Sequence, residues 1–239
     1  MVKDENDAFS ILTLFKEEIC MLALNSSRVS AVLDRLYGEA KDIDGVLLPR
    51  VREEAKRLGG SMDDRKVTAL LDDAFIPVAP EVGRLLYLLV RLRRPAIAVE
   101  FGTSFGLSAI HIAAALRDNG SGKLIATELN PNKAARSAEH IRQAGLDDLV
   151  EVRQGDAFET LSGIKGVDFL MLDGWKGLYL PMLKKLEPVL NAGCLIAADD
   201  LKLFPEVLQP YLAYVRNAAN GYTSSELPID DGMELSLRK

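Results

Sequence analysis

The sequence predicts an α/β fold: a doubly wound seven-stranded sheet, mostly parallel, with one antiparallel strand near the C-terminus and helices on both faces. Three observations carry this expectation. From residue 96 onward, short apolar runs alternate five times with segments of helical period. The first of them, "AIAVEFG", is bounded by Pro and Gly and reads as a buried strand. The chain then closes on "YTSSELPI" (222–229) and "MELSLRK" (233–239), joined through "DDG", a hairpin-type turn. Ahead of residue 96 the pattern is helical. The expected division is a helical extension over 1–60 and one domain over 61–239.

Taken in order, "FSILTLFKEEICMLAL" reads as a helix, and "VSAVLDRLYGEA" and "LLPRVREEAKRL" are amphipathic at helical spacing. Gly59-Gly60 ends this stretch. "DDRKVTALLDDAF" is a further helix candidate, "IPVAPEVG" a proline-broken loop, and "EVGRLLYLLVRLRR" a helix up to Pro95. The basic cluster 91–94 then complements the dipole of that helix's C-terminus. "AIAVEFG" is a buried strand, and "LSAIHIAAALRDNG" a helix closed by Asn-Gly. "KLIATEL" is a strand, and "PNKAARSAEHIRQAG" a helix with Pro at its first turn and Gly145 after its last. "LVEVRQGD", "VDFLMLDG" and "CLIAADDL" complete the parallel strands. "AFETLSGI", "YLPMLKKLEPVL" and "FPEVLQPYLAYVRNAAN" are their helices.

The chain has 239 residues, 48% hydrophobic and 27% charged, values ordinary for a globular protein. Net charge is −6, with no polybasic run to offset it. That disfavours nucleic acid and anionic membranes as partners. Cys20 and Cys194 are isolated, with neither a disulfide framework nor a zinc spacing; Cys194, in an apolar run, reads as a buried inert thiol. The first residues carry acids where a secretory leader carries bases, and no apolar segment approaches about 18 residues. The expectation is a soluble cytoplasmic protein.

In open parallel sheets, ligands sit outside the carboxyl ends of the strands, at the switch point. The residues just past each apolar run are Glu100 and Gly102, Glu128, Gly155 and Asp156, Asp173, and Asp199 with Asp200. All five strand ends carry a carboxylate, more than solubility alone requires. Gly102 and Gly106, in "VEFGTSFGLS", form either a plain tight turn or a place where backbone approaches a ligand. The third glycine of a dinucleotide site is absent, as is a phosphate-binding lysine, so a nucleoside without phosphates fits better. Glu128 can accept both hydroxyls of a ribose. Asp156 can accept from an adenine amino group, cap the helix opening at Ala157, or both. Asp199 and Asp200 repel unless a cation or donors neutralise them. With Asp173 they could form a hard-oxygen site for Mg²⁺, Mn²⁺ or Ca²⁺; alternatively one faces the site and another caps a helix. Beside a metal, Lys176 would have the lowered pKa a general base needs; otherwise it is a loop lysine. Trp175 either walls the pocket or packs on its loop. Neither His111 nor His140 is assigned a catalytic role.

These motifs, from about 74 to 239, resemble the class I S-adenosylmethionine-dependent O-methyltransferases of the catechol and caffeoyl-CoA type. "VEFGTSFGLSAI" is similar to their first motif, "TELNP" to the ribose-binding strand end, and "GDA" to the adenine-edge motif. "LDGWKGLYLPMLKKLEPVLNAGCLIAADDL" resembles the segment with metal ligands and base, and "FIPVAPEVG" the segment lining the cofactor. The resemblance implies a Rossmann-like domain that binds S-adenosyl-L-methionine. Glu100, Gly102, Ser104 and Ser108 would lie near its methionine part, with Val78 closing over it. Glu128 would hold the ribose, and Asp156 and Ala157 would meet the adenine. Asp173, Asp199 and Asp200 would ligate a divalent metal, magnesium being one candidate, with Lys176 as base. Asp173 would also border the cofactor. The methyl acceptor would be a hydroxyl of a small catechol-like aromatic, and the chain a homodimer. Two departures stand out: Asp200 replaces the family's usual Asn, and Gly174 a frequent His. Asp200 leaves open a metal-independent methyltransferase. A nicotinamide-dependent oxidoreductase and a non-catalytic binding protein are the remaining alternatives.

Overall fold

The structure, a computed structural model, describes residues 22–57, 70–202 and 204–239. Seven strands form one sheet in the order β3-β2-β1-β4-β5-β7-β6. They are β1 Ile97–Phe101, β2 Lys123–Glu128, β3 Val150–Gln154, β4 Val167–Leu172, β5 Leu190–Ala198, β6 Tyr222–Leu227 and β7 Met233–Arg238. β1 to β5 pair in parallel, and β7 runs antiparallel to both β5 and β6. This is the architecture the sequence predicts. Among the described residues, the helices of eight residues or more are α1 Ser27–Arg57, α2 Pro80–Arg93, α3 Leu107–Asn119, α4 Pro131–Gln143, α6 Tyr179–Leu186 and α7 Pro205–Arg216; α5 Ala157–Thr160 is a single turn.

β4 lies at the centre of the order, and all six of its residues are buried. Its alternate side chains feed two cores. Phe169 and Met171 join Ala98 and Ala197 under α1 to α4, while Leu170 and Leu172 join Val99, Ile196 and Ala198 under α5 to α7. Helix α3 is buried along nearly its whole length between the sheet and the N-terminal helices. Gly83 of α2 makes this contact possible, since a Cβ there would stand 2.5 Å from the His111 ring.

Two expectations shift at element boundaries. The amphipathic stretch at 29–40 and residues 47–57 of the one at 47–58 belong to one helix, α1, which runs through Pro49. Its Val29, Val32, Leu33, Leu36 and Ala40 enter the first core, so this helix is part of the packed body. β5 begins at Leu190, not at Cys194, because the chain pairs with Val167 before a register shift. Cys194 is buried and free, and burial pushes its thiol up to about 12. Cys20, Gly59-Gly60, most of the helix expected over 9–24 and most of the one expected over 63–75 lie outside the described residues.

The basic cluster does end α2, as its pattern suggests. Arg93 reaches Asp168 of β4 at 3.1 Å and the carbonyl of Gly193 at 3.0 Å, and Arg94 takes the left-handed cap position. Among the described residues no helix is long and apolar enough to cross a membrane.

Candidate active site

The parallel register sets the site. Phe101 pairs with Thr127 on one side and Leu172 on the other, and Leu172 pairs with Ala198. The ladder continues one residue further: Asp173 N donates to Phe101 O at 2.9 Å, and Asp199 N to Leu172 O at 3.0 Å. The strand-end residues therefore stand side by side. They do so at the sheet's switch point, where β1 leads to β2 on one side and neighbours β4 on the other.

A cavity of about 430 Å³ opens there. Val78, Gly102, Ser104, Ser108, Glu128, Asp156, Ala157, Asp173, Lys176 and Asp200, all expected at the site, line it. Trp175 is on the wall too, which favours its pocket reading. Glu100 and Asp199 do not line the cavity. Both are buried behind it, at 0% and 2% exposure. Neither Glu100 oxygen has a hydrogen-bond partner. Burial raises its carboxyl to about 7, against the nearby Ser108 and Thr103 hydroxyls, which pull it down. His111 and His140 are spent on backbone carbonyls, at 2.9 Å each, as fits residues without a catalytic part.

Gly102 has φ +90, and a Cβ there would stand 2.7 Å from Gly174 Cα. A Cβ at Gly174 would in turn meet the Phe101 ring at 2.6 Å. The two glycines let the loops after β1 and β4 touch, which is the physical reason for Gly174. Gly106 has a different reason. It does not line the cavity, and a side chain there would strike Ser137 of α4.

Glu128 is held in place by backbone. Its Oε2 accepts from Ser104 N at 2.8 Å, and its Oε1 from Asn130 N at 2.9 Å. Asp156 caps α5 by accepting from Phe158 N at 2.8 Å while lining the cavity, so the helix-cap reading holds alongside exposure to the pocket.

The wall opposite the strand ends was only partly legible beforehand. Asp44 of α1 accepts from Phe75 N and Ile76 N, both at 2.8 Å. Lys133 donates to Ala74 O, and Ser104 Oγ to Phe75 O, each at 2.8 Å. Phe75 stacks on Phe105 with centroids 4.1 Å apart. The "FIPVAP" motif marked this wall. No local pattern marked Asp44, which acts from a position 31 residues away.

At the far end, Lys176 is 8% exposed. Its Nζ lies 2.8 Å from Asp200 Oδ2 and 3.4 Å from Asp173 Oδ1, and it donates to the Tyr179 oxygen at 2.7 Å. Tyr179 donates onward to Asp199 O at 3.1 Å. The lowered lysine pKa that a neutral base needs is not what these surroundings produce. Burial pulls it down, but the oxygens of Tyr179, Asp173 and Asp200 outweigh burial and hold the group as an ammonium. Asp173 and Asp199 are both pushed up, first by burial and then by neighbouring carboxylates; Lys176 pulls them back down. Asp199 Oδ1 has no partner.

The residues expected to ligate a metal do not fit one in this arrangement. Among the described residues no three such side chains are set to hold a metal ion. An amine, not a gap, stands between Asp173 and Asp200. The cavity is largely apolar-walled, and Glu128, its carboxylate held by backbone N–H groups, is among its lining residues.

Residues 99–201 match a family model described as a methyltransferase domain. Catechol O-methyltransferase B of Danio rerio is 33% identical over 174 residues, which cover 67% of this chain and 64% of that protein. The chain thus spans slightly less than two thirds of that relative's length. Catechol O-methyltransferase of Sus scrofa is 32% identical over 176 residues, covering 68% of this chain and 92% of that protein. An O-methyltransferase from Bacillus cereus, solved with S-adenosylhomocysteine, superposes with a TM-score of 0.64 at 21% identity. It covers 83% of this chain and 96% of its own, and is a likeness of fold. With its sheet, its strand-end site and these relatives together, the chain belongs to the class I S-adenosylmethionine-dependent O-methyltransferases of the catechol and caffeoyl-CoA type.

Proposed function

We propose that this protein is an S-adenosylmethionine-dependent O-methyltransferase acting on a hydroxyl of a small catechol-like or hydroxylated aromatic acceptor. One observation carries the reading. A single cavity joins a carboxylate suited to ribose, Glu128, to a polar cluster at Asp173, Lys176 and Asp200, in a member of this family.

Glu128 holds the ribose: each of its oxygens gives one lone pair to a backbone N–H and keeps another for a hydroxyl. Asp156 and Ala157 border the adenine, and Val78 closes over the adenosyl part. Gly102, Ser104 and Ser108 border the methionine part, with Glu100 beneath. When bound, the cofactor supplies a methyl group on a sulfonium. Trp175, Leu178 and Phe204 give the mouth an apolar rim on which an aromatic ring can lie. Lys176 orients the acceptor oxygen, and Asp173, on the cavity wall, receives its proton. Holding oxygen and methyl in line supplies much of the rate.

The divalent-metal dependence expected from the three acids stands against the position of the Lys176 amine between two of them. A cytoplasmic location and a homodimer complete the proposal; sizing chromatography of the full chain checks the second.

The test has two parts. Calorimetry should show S-adenosylhomocysteine binding and no comparable binding of NADH, which also decides against an oxidoreductase. Incubation with S-adenosylmethionine and a panel of catechols should give a product heavier by one methyl group. Binding of NADH alone, or a panel with no methylated member, would sink the reading.

A further inference from the structure

We infer that Lys176 is the resident cation of this site: clamped by Asp200, its ammonium stands where a divalent ion would sit, and methyl transfer needs no metal. This rests on the methyltransferase reading above.

The geometry supplies the argument. Three carboxylates follow two neighbouring strands, β4 and β5, and such a cluster needs a counter-charge. The structure provides one from the chain itself. Lys176 Nζ stands 2.8 Å from Asp200 Oδ2 and 3.4 Å from Asp173 Oδ1. The third direction is taken by the Tyr179 oxygen at 2.7 Å. Three oxygens thus surround the ammonium: those of Tyr179 and Asp173 in hydrogen-bond geometry, and that of Asp200 as an ion pair. Tyr179 is locked in turn, since its hydroxyl donates to the Asp199 carbonyl and its ring packs edge-on against Tyr211. The amine is therefore fixed by its surroundings and is not a loop lysine free to swing out.

A divalent ion bound by Asp173 and Asp200 would have to displace this ammonium from a buried pocket. It would also leave a second positive charge beside itself. A neutral amide at position 200 would hold the amine less firmly; the carboxylate there is what makes the lysine the stable occupant.

The contacts differ in strength, and that difference assigns the roles. The 3.4 Å contact to Asp173 is the weakest, so an acceptor oxygen can replace it. Asp173, released, takes the phenolic proton and passes it to water. The oxygen's electron pair forms the bond to the methyl carbon as the carbon–sulfur bond breaks. With the cofactor bound, this would leave a neutral thioether in place of the sulfonium, and the Lys176 ammonium would balance the charge on the oxygen. Lys176 keeps its proton throughout.

The experiment is a Mn²⁺ titration followed by electron paramagnetic resonance, on the full chain stripped with EDTA and on its Lys176→Met variant. S-adenosylhomocysteine calorimetry checks that both are folded; Lys176→Gln stands in if the first variant fails. The wild type should leave the free Mn²⁺ signal as it is in buffer, and the variant should bind an equivalent of the ion. A wild type that binds Mn²⁺ tightly, or a folded variant that binds none, overturns the inference. In parallel, wild-type product formation should stay within about twofold with EDTA or with added Mg²⁺. Loss with EDTA and recovery with Mg²⁺ overturns it as well. An absence of product in both arms would count against the methyltransferase reading, and the Mn²⁺ comparison would still decide the identity of the cation.

Discussion

The backbone N–H of Ser104 donates to Glu128 Oε2 at 2.8 Å, tying the turn after β1 to the end of β2. Ser104 takes φ +46, a conformation few non-glycine residues adopt. The carboxylate therefore orients a strained turn as well as facing the cavity. Glu128→Ala should weaken S-adenosylhomocysteine binding roughly ten- to a hundredfold, since hydrogen bonds to a charged group are worth on the order of 1.5–3 kcal/mol. Glu128→Gln should fall between, keeping one acceptor oxygen. Calorimetry reads both, and an unchanged affinity in the alanine variant would remove Glu128 from the cofactor site.

Gly102→Ala tests the meeting of two loops. The added Cβ would press on Gly174 and on the Asp173 carbonyl, both in backbone that cannot swing aside. Strain at a left-handed position and overpacking each cost about 1–3 kcal/mol. Both the melting temperature and cofactor affinity should drop. Gly106→Ala, which presses instead on Ser137 of α4, should lower the melting temperature and change affinity much less. Equal loss of affinity in the two variants would argue against a special place for Gly102.

Asp44 is the prediction that depends most on tertiary structure. Its carboxylate takes two backbone N–H groups from the wall over the cavity. Asn offers one acceptor oxygen for the two donors. Asp44→Asn should cost about 1–2 kcal/mol and loosen the Phe75–Val78 wall. Hydrogen exchange should quicken at the Phe75 and Ile76 amides, and cofactor affinity should fall severalfold. Unaltered exchange there would show that Phe75 stacking holds the wall alone.

Glu100 gives a pH signature. Its carboxyl lies near 4.5 when unfolded and about 7 in the fold, raised chiefly by burial. Between those values the folded chain holds the extra proton, so this group's contribution to stability falls as pH rises from 4.5 to 7. His111 acts oppositely. Its folded value, lowered to about 4 by burial, makes stability rise with pH between 4 and 6.5. Glu100→Gln removes only the first effect. The melting temperature of this variant relative to wild type should climb between pH 5 and pH 8, measured without cofactor. A constant difference would mean that Glu100 stays ionised in the fold.

Much of the site was legible in the chain. Strand identity depends on local apolar runs, and in a parallel sheet the residue after each run must fall at one edge. Glu128, Asp156, Asp173 and Asp200 were therefore placed together before any contact was known. Their partners were not. Lys176 by itself could be a neutral base or a loop lysine. Only the approach of β5 to β4 brings the Asp200 carboxylate to it and keeps it charged. Gly106 shared a motif with Gly102, yet its reason proved to be the packing of α3 on α4.

The order of apolar runs and helices, and the carboxylate ending each of the five parallel strands, settle the fold and the edge where the cavity opens. Those features are local, carried by side-chain periodicity and by the residues that stop it. Tertiary structure alone decides that Asp44 braces the cavity wall, that Glu100 and Asp199 are buried behind it, and that an amine stands among the acids. Each depends on distances between segments remote in sequence, and burial and charge pairing have values only once those distances exist.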